Sequence, residues 1–354
     1  MLIFDAHLDM AWNALDFNRD LMMPIHERRE FEAGKDVEYL GASTVSWPAL
    51  KQGKIATIIC TLLPRLMRTH KEMSFYQSRE AAYAASYGQL HYYLAMEKKG
   101  VITSLHNQQD IDEHLANWEA DDSGVHPIGY ILSMEGSWSV LSPDMIEEWS
   151  HAGLKILGPA HYGPDYYCHG TGSEGGLKAE GPALLKKMDE VGMLLDVTHL
   201  SDQSFWEALD IYTGPVLASH HNCRALVPAD RQLTDEQIKA LAERGAVIGA
   251  AFDNWMIKPG WTIGVSDPAT VAMEDIANHT DHICQLLGTT KHCGIGTDLD
   301  GGFGKAQTPH DLDTIADLPK FADILDRRGY SSEDIEGIMS KNFINFFRNA
   351  WANE

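Results

Sequence analysis

Leu2-Ile3-Phe4-Asp5-Ala6-His7-Leu8-Asp9 is the stretch on which the reading turns. A short apolar run that closes on His-x-Asp reads as a buried strand, and the side-chain period of two in a strand sends His7 and Asp9 toward the same side. An imidazole nitrogen and a carboxylate oxygen leaving one strand end together make half of a coordination shell for Zn²⁺ or a similar divalent ion. Alone the pair decides nothing, because a histidine or an acid after a strand also serves as a cap or an ion-pair partner.

Apolar runs of strand length recur along the chain. They fall near Leu2–Ala6, Ile55–Leu63, Ile128–Met134, Leu154–Ala160, Met193–Thr198, Pro215–Ser219, Ala246–Phe252 and Cys293–Thr297. Helical periodicity separates them, over Arg79–Lys99, Met145–Ala152, Pro182–Val191, Asp202–Ile211, Asp235–Arg244 and Thr270–Leu287, with Asp311–Arg328 and a last helical segment through Phe346 after the eighth run. Ser201 and Thr234 stand where N-caps belong, and Gly153, Gly192 and Gly245 follow helix ends. Buried parallel strands alternating with helices predict an α/β protein, a (β/α)₈ TIM-type barrel, with a doubly wound open sheet as the competitor. No repeat, low-complexity tract or linker divides the chain, so one domain over residues 1–354 is expected. The polar insert Asp16–Glu38 and the Gly-rich stretch His161–Gly181 read as loops elaborating one rim.

Function is read from where the polar residues fall. His7 and Asp9 end the first expected strand, Glu135 the third, His161 the fourth, His199 the fifth, His220 the sixth and Asp298 the eighth. All are C-terminal ends, the end of a (β/α)₈ barrel where active sites are built. Three protein ligands per ion plus solvent make a catalytic metal site, and His7, Asp9, Glu135, His199 and His220 supply two such sets if Glu135 bridges them. His161 and Asp298 are then left over as catalytic groups.

Composition bounds the partners. A formal charge of −23 argues against nucleic acid or an anionic membrane surface, which call for clustered Lys and Arg. The five cysteines, Cys60, Cys168, Cys223, Cys284 and Cys293, form no Cys-x-x-Cys and no even framework, which fits a reduced cytoplasm. No basic segment followed by an apolar stretch precedes the first strand and no apolar run approaches bilayer length, so a soluble, cytoplasmic protein is expected.

Asp5-Ala6-His7-Leu8-Asp9, Met134-Glu135-Gly136, Asp196-Val197-Thr198-His199-Leu200-Ser201, Ser219-His220 and Gly296-Thr297-Asp298-Leu299-Asp300-Gly301 together resemble the membrane (renal) dipeptidase family of binuclear zinc peptidases, in its soluble bacterial branch. The likeness runs nearly end to end and includes Gly176-Leu177 with Gly181. It implies a barrel of the amidohydrolase kind with two Zn²⁺ per chain: His7 and Asp9 on one ion, His199 and His220 on the other, and Glu135 between them. It further implies that His161 holds the substrate carbonyl oxygen, that Asp298 handles protons, and that Arg231 binds the substrate carboxylate. Arg224 is the rival arginine, kept as a loop brace, and Asp300, on the face of Asp298, is expected to brace the loop or a ligand.

The expected reaction is hydrolysis of dipeptides by a metal-bridging hydroxide, including those with a C-terminal D-residue. The alternatives are another metal-dependent hydrolase on the same barrel, acting on a lactam, lactone or other amide, and a non-catalytic metal-binding barrel. Departures from the family pattern, His221 after His220 and Pro159-Ala160-His161-Tyr162-Gly163, bear on substrate preference. Apart from a small peptide, the one partner left open is a second copy in a homodimer.

Overall fold

A computed structural model of the chain describes residues 1–34, 41–65, 76–120 and 125–352. Among these residues nine parallel strands form: β1 (Ile3–Leu8), β2 (Ile55–Leu62), β3 (Ile102–Ser104), β4 (Ile128–Glu135), β5 (Ile156–Gly158), β6 (Leu194–Asp196), β7 (Val216–Leu217), β8 (Ile248–Ala250) and β9 (Cys293–Ile295). Their hydrogen-bonded order is β7-β6-β5-β4-β2-β1-β9-β8, and a parallel bridge between Ala218 and Ile248 joins its two ends. Eight strands thereby close into the expected (β/α)₈ barrel. β3 is the extra strand: it pairs only with β4, from Ile102 opposite Ile128 to Ser104 opposite Tyr130.

Every residue of β1, β2 and β4 is buried, because each strand has the lumen on one side and helices on the other. One apolar cluster gathers Phe4, Ile59, Ile131, Ile156, Leu194, Leu217 and Val247, one side chain from nearly every barrel strand or its edge. The helix Asn342–Ala350 closes this layer from below: Phe343 and Phe347 stack on Phe4 at 5.3 and 5.7 Å between ring centroids. β9 contributes Gly294 there, and a Cβ at that position would overlap the Phe343 ring. A larger cluster fills the space between the strands and the outer helices.

The outer caps form as the sequence requires. Ser201 accepts from Ser204 N, Thr234 and Gln237 make a reciprocal capping box, and Gly153, Gly192 and Gly245 take positive φ where helices stop. Other expectations change. β6, β7, β8 and β9 are only two or three residues long, because the chain leaves the ladder early and turns its next residues into the mouth. The expected helix Asp311–Arg328 is a 3₁₀ turn, Ile315–Asp317, followed by a helix Lys320–Arg327 that begins after Pro319. The last helical segment continues past Phe346 to Ala350. The polar insert is not all loop: Pro24 precedes a helix Ile25–Glu32, while residues 35–40 lie outside the described residues. The stretch His161–Gly181 has no regular element and is held by isolated bridges, Pro164–His169, Cys168–Leu177 and Gly170–Leu200. Gly170 is required there, since a Cβ would overlap the carbonyl oxygen of His161.

Candidate metal centre and active site

The strand ends bring the seven residues together. His7 lies in β1 with Asp9 just beyond it, Glu135 is the last residue of β4, and His161, His199, His220 and Asp298 each stand three residues past β5, β6, β7 and β9. Glu135 sits between two groups. Its Oε2 is 3.8 Å from His7 Nε2, and its Oε1 is 3.3 Å from His199 Nε2 and 3.5 Å from His220 Nε2. Asp9 Oδ2 lies 3.7 Å from His7 Nε2. Two donors on one ion, each about 2.1 Å from it, are themselves about 3–4 Å apart. The sets His7, Asp9, Glu135 and Glu135, His199, His220 both meet that spacing, with each donor atom within 4.8 Å of the others.

His7 Nε2, Asp9 Oδ1 and Glu135 Oε1 are buried without a hydrogen-bond partner among the described residues, an arrangement that cations would satisfy. Asp298 faces both groups, Oδ1 at 3.7 Å from His7 Nε2 and Oδ2 at 4.0 Å from His220 Nε2, and with those two histidines it forms a third set of metal-ligand spacing. His161 Nε2 is 3.8 Å from Glu135 Oε2.

Hydroxyls aim the imidazoles. Nδ1 of His7, His199 and His220 faces Thr61 Oγ1 at 3.4 Å, Thr171 Oγ1 at 3.0 Å and Ser219 Oγ at 2.9 Å. With Nδ1 so occupied, Nε2 is the nitrogen presented to the centre. Buried acids tie the strand ends together. Asp5 accepts from Thr297 N at 2.8 Å and Thr297 Oγ1 at 2.6 Å, joining β1 to β9, and Asp196 Oδ1 accepts from Thr198 N and Ser219 N, joining β6 to β7.

The whole chain, residues 1–354, matches the family model described as membrane dipeptidase, peptidase family M19. The chain belongs to the membrane dipeptidase family. Among curated relatives it is 30% identical over 176 residues to an uncharacterized protein in the pqqA 5′ region of Klebsiella pneumoniae, covering 50% of this chain and 62% of the relative. It is 28% identical over 211 residues to the dipeptidase tcpJ of Claviceps purpurea, covering 58% of this chain and 47% of the relative. The chain thus spans about half the length of the curated relatives it matches. Its fold is that of the crystal structure of a metallo peptidase from Rhodobacter sphaeroides liganded with a phosphinate mimic of L-Ala-D-Ala, with a TM-score of 0.80, 21% identity and 99% of each chain covered. A second M19 structure, the dipeptidase AC, superposes with a TM-score of 0.80 at 20% identity, again over 99% of each chain. No helix among the described residues is long and apolar enough to cross a membrane.

The charges at this mouth shift the ionisable groups in opposite directions. Burial pushes His7 down, but the Glu135, Asp9 and Asp298 carboxylates outweigh it and raise the imidazole to about 10. Burial holds His199 and His220 well below the usual range, helped by the Arg231 charge, so both imidazoles are neutral. Burial also raises Glu135 and Asp298, which His7 partly offsets. Arg231 is 1% exposed and donates through Nη2 to His220 O at 2.8 Å, while its Nε and Nη1 have no acceptor among the described residues.

Arg224 pairs with Asp202 at 2.7 and 2.8 Å and is the expected loop brace. His169 bonds Gly176 O within its own loop. Asp300 braces, as expected, but it does not share the direction of Asp298: it accepts from Thr44 N, Thr44 Oγ1 and Val45 N. The sequence reading missed four groups at the mouth. Thr61, Thr171 and Ser219 face the Nδ1 atoms of the three histidines, and Asp253, three residues past β8, carries the same positional signal as His199 and His220.

Proposed function

We propose that residues 1–354 act as one metallopeptidase domain that hydrolyses dipeptides with two Zn²⁺. The observation that carries this reading is the Glu135 carboxylate, whose two oxygens face separate ligand sets at 3.3–3.8 Å, in a member of the M19 family. The donors are three imidazole nitrogens and two carboxylates, a set suited to zinc. Bound there, the two ions would lower the pKa of a bridging water toward neutrality, giving a hydroxide nucleophile, and would polarise the scissile carbonyl.

The chain's own groups do the rest. Asp298, facing both ligand sets, takes the proton from the attacking water and delivers it to the leaving nitrogen. His161 donates to the carbonyl oxygen as negative charge grows on it. Arg231, whose Nε and Nη1 have no acceptor among the described residues, gives a charge-assisted contact to the free C-terminal carboxylate that restricts the site to short peptides. A C-terminal D-residue, as in the mimic bound to the Rhodobacter sphaeroides protein, belongs in the first substrate panel.

The test pairs turnover with metal content. Zinc-loaded protein is assayed on L,L and L,D dipeptides while elemental analysis counts the ions. Two ions and hydrolysis are expected, with loss of both turnover and stoichiometry in Glu135→Gln. A reproducible single ion together with a fully active Glu135→Gln variant overturns the binuclear reading.

A further inference from the structure

β8 delivers an acid to the barrel mouth that the dipeptide reaction leaves unused. Asp253 is held beside the turn that carries Asp298, because Phe252 N donates to Thr297 O at 3.0 Å. It is 7% exposed, and its Oδ1 has no hydrogen-bond partner among the described residues. Asn254 is buried as well: its Nδ2 donates to Thr308 O at 3.1 Å, while Oδ1 has no hydrogen-bond partner among the described residues. A buried carboxylate oxygen without a donor is unfavourable unless a ligand supplies one.

Arg231 does not fill that role. Its charge acts on Asp253, yet the two are not in salt-bridge contact, and Arg231 Nε and Nη1 are themselves without acceptors. Burial raises the Tyr162 phenol, and the charges of Arg231, Asp253, Asp298 and Glu135 all act on it, which places the four within electrostatic reach of one ring at the barrel mouth. Burial raises the Asp253 carboxyl to about 7, which the Arg231 charge only partly offsets.

We propose that Asp253 determines specificity by binding a cationic side chain on the C-terminal residue of the substrate. The proposal rests on Arg231 holding that residue's carboxylate. A neutral side chain then leaves the Asp253 oxygen facing a second anion without a donor. A lysine or arginine side chain supplies both charge and donors, and a glutamate side chain adds a third negative charge.

The experiment compares kcat/KM of the zinc-loaded enzyme on Ala-Lys, Ala-Arg, Ala-Ala and Ala-Glu, with L- and D-C-terminal residues, in wild type, Asp253→Asn and Asp253→Lys. The ratio of Ala-Lys to Ala-Ala is expected to exceed about tenfold in wild type, to collapse toward one in Asp253→Asn, and to invert in favour of Ala-Glu in Asp253→Lys. A wild-type ratio near one, or a ratio unchanged by Asp253→Asn, overturns the proposal; the second result would assign Asp253 to the ammonium common to all these substrates. Thermal protection by free lysine, alanine and glutamate reads the same subsite without turnover and keeps the test open if a variant folds poorly in the assay. Lysine must protect wild type most and lose that advantage in Asp253→Asn. Absence of all dipeptide hydrolysis with lysine-selective protection would sink the dipeptidase reading alone, whereas hydrolysis without charge selectivity would sink this one alone.

Discussion

Replacing Thr171 by valine removes one hydroxyl, which faces His199 Nδ1 and also donates to His199 O at 3.3 Å. Thr171 Oγ1 lies 3.0 Å from His199 Nδ1, and the imidazole is 3% exposed, so no bulk water takes the place of the lost acceptor. Valine keeps the shape and branching of threonine. The backbone bond from Thr171 N to His199 O at 2.8 Å is also kept, and it holds the loop in place. A buried donor left unmade costs about 1–3 kcal/mol. In the proposed centre, where His199 is a ligand through Nε2, that cost appears as about 5- to 150-fold weaker binding of the ion assigned to Glu135, His199 and His220. The ion held by His7, Asp9 and Glu135 shares only the bridge and should move by less than about threefold. Metal-buffered titration of apo protein resolves the two steps, and Thr171→Ser should restore the weaker one. Equal weakening of both steps, or unchanged binding, would refute the claim that this hydroxyl sets the His199 tautomer.

Asp298→Asn should retain two ions yet lose most of kcat, because an amide cannot carry the proton; metal content and turnover on one sample check it, and loss of an ion would make Asp298 a ligand instead. Arg231→Ala should lower kcat/KM for free dipeptides by about 2–4 kcal/mol, on the order of a hundredfold, through loss of a desolvated charge-assisted contact. Dipeptide amides lack the carboxylate and should be poor substrates of both proteins, so equal cleavage of dipeptides and amides by wild type removes the clamp. Asp165, which accepts from Ser137 Oγ and Tyr166 N, is raised by burial to about 6. A raised carboxyl stabilises the fold below its unfolded value of 3.8 and loses that contribution as pH rises through about 6. Wild-type stability relative to Asp165→Asn should therefore fall between pH 4 and 7, by up to about 3 kcal/mol. Chemical denaturation across that range reads it, and a flat difference would mean that Asp165 ionises normally.

The barrel was legible because parallel strands are apolar on both faces, so Ile55–Leu62 and Ile128–Glu135 announce themselves without periodicity. β3 was not, since Ile102-Thr103-Ser104 is three residues long with two of them only half-buried. The helix Ile25–Glu32 hid for a related reason: it buries only Ile25 and Arg28, so its composition reads as a polar loop. In the site, the metal-type residues follow apolar runs and can be found by that position alone. Their orienting hydroxyls cannot. Thr171 is 28 residues from His199 and Thr61 is 54 from His7, and a threonine in a loop or strand carries no mark of a distant partner. Asp253 was passed over because an acid before Asn254–Ile257 looks like an ordinary helix cap, yet its side chain makes no capping bond.

The turn after β9 shows why strand parity fails at the mouth, where the chemistry is. Asp298 and Asp300 are two residues apart, and in a strand they would point the same way. Both instead take left-handed backbone, φ 58° and 61°, which costs a non-glycine residue about 1–2 kcal/mol. The surroundings hold them there: Asp5 grips Thr297, Gly301 N donates to Asp298 O at 2.9 Å, and Asn13 Nδ2 donates to Asp300 O at 2.9 Å. Gly301 must stay bare, since a Cβ there would overlap Asp298 Oδ1. The result separates two like carboxylates. Asp298 is turned between His7 and His220, where a proton carrier is of use, and Asp300 is turned onto Thr44 and Val45, with Arg19 Nη1 at 3.7 Å to offset its charge. Had both acids followed strand parity into the mouth, a further buried anion would have joined Asp9, Glu135 and Asp298. The strain in the turn thus limits the number of carboxylates gathered at the barrel mouth.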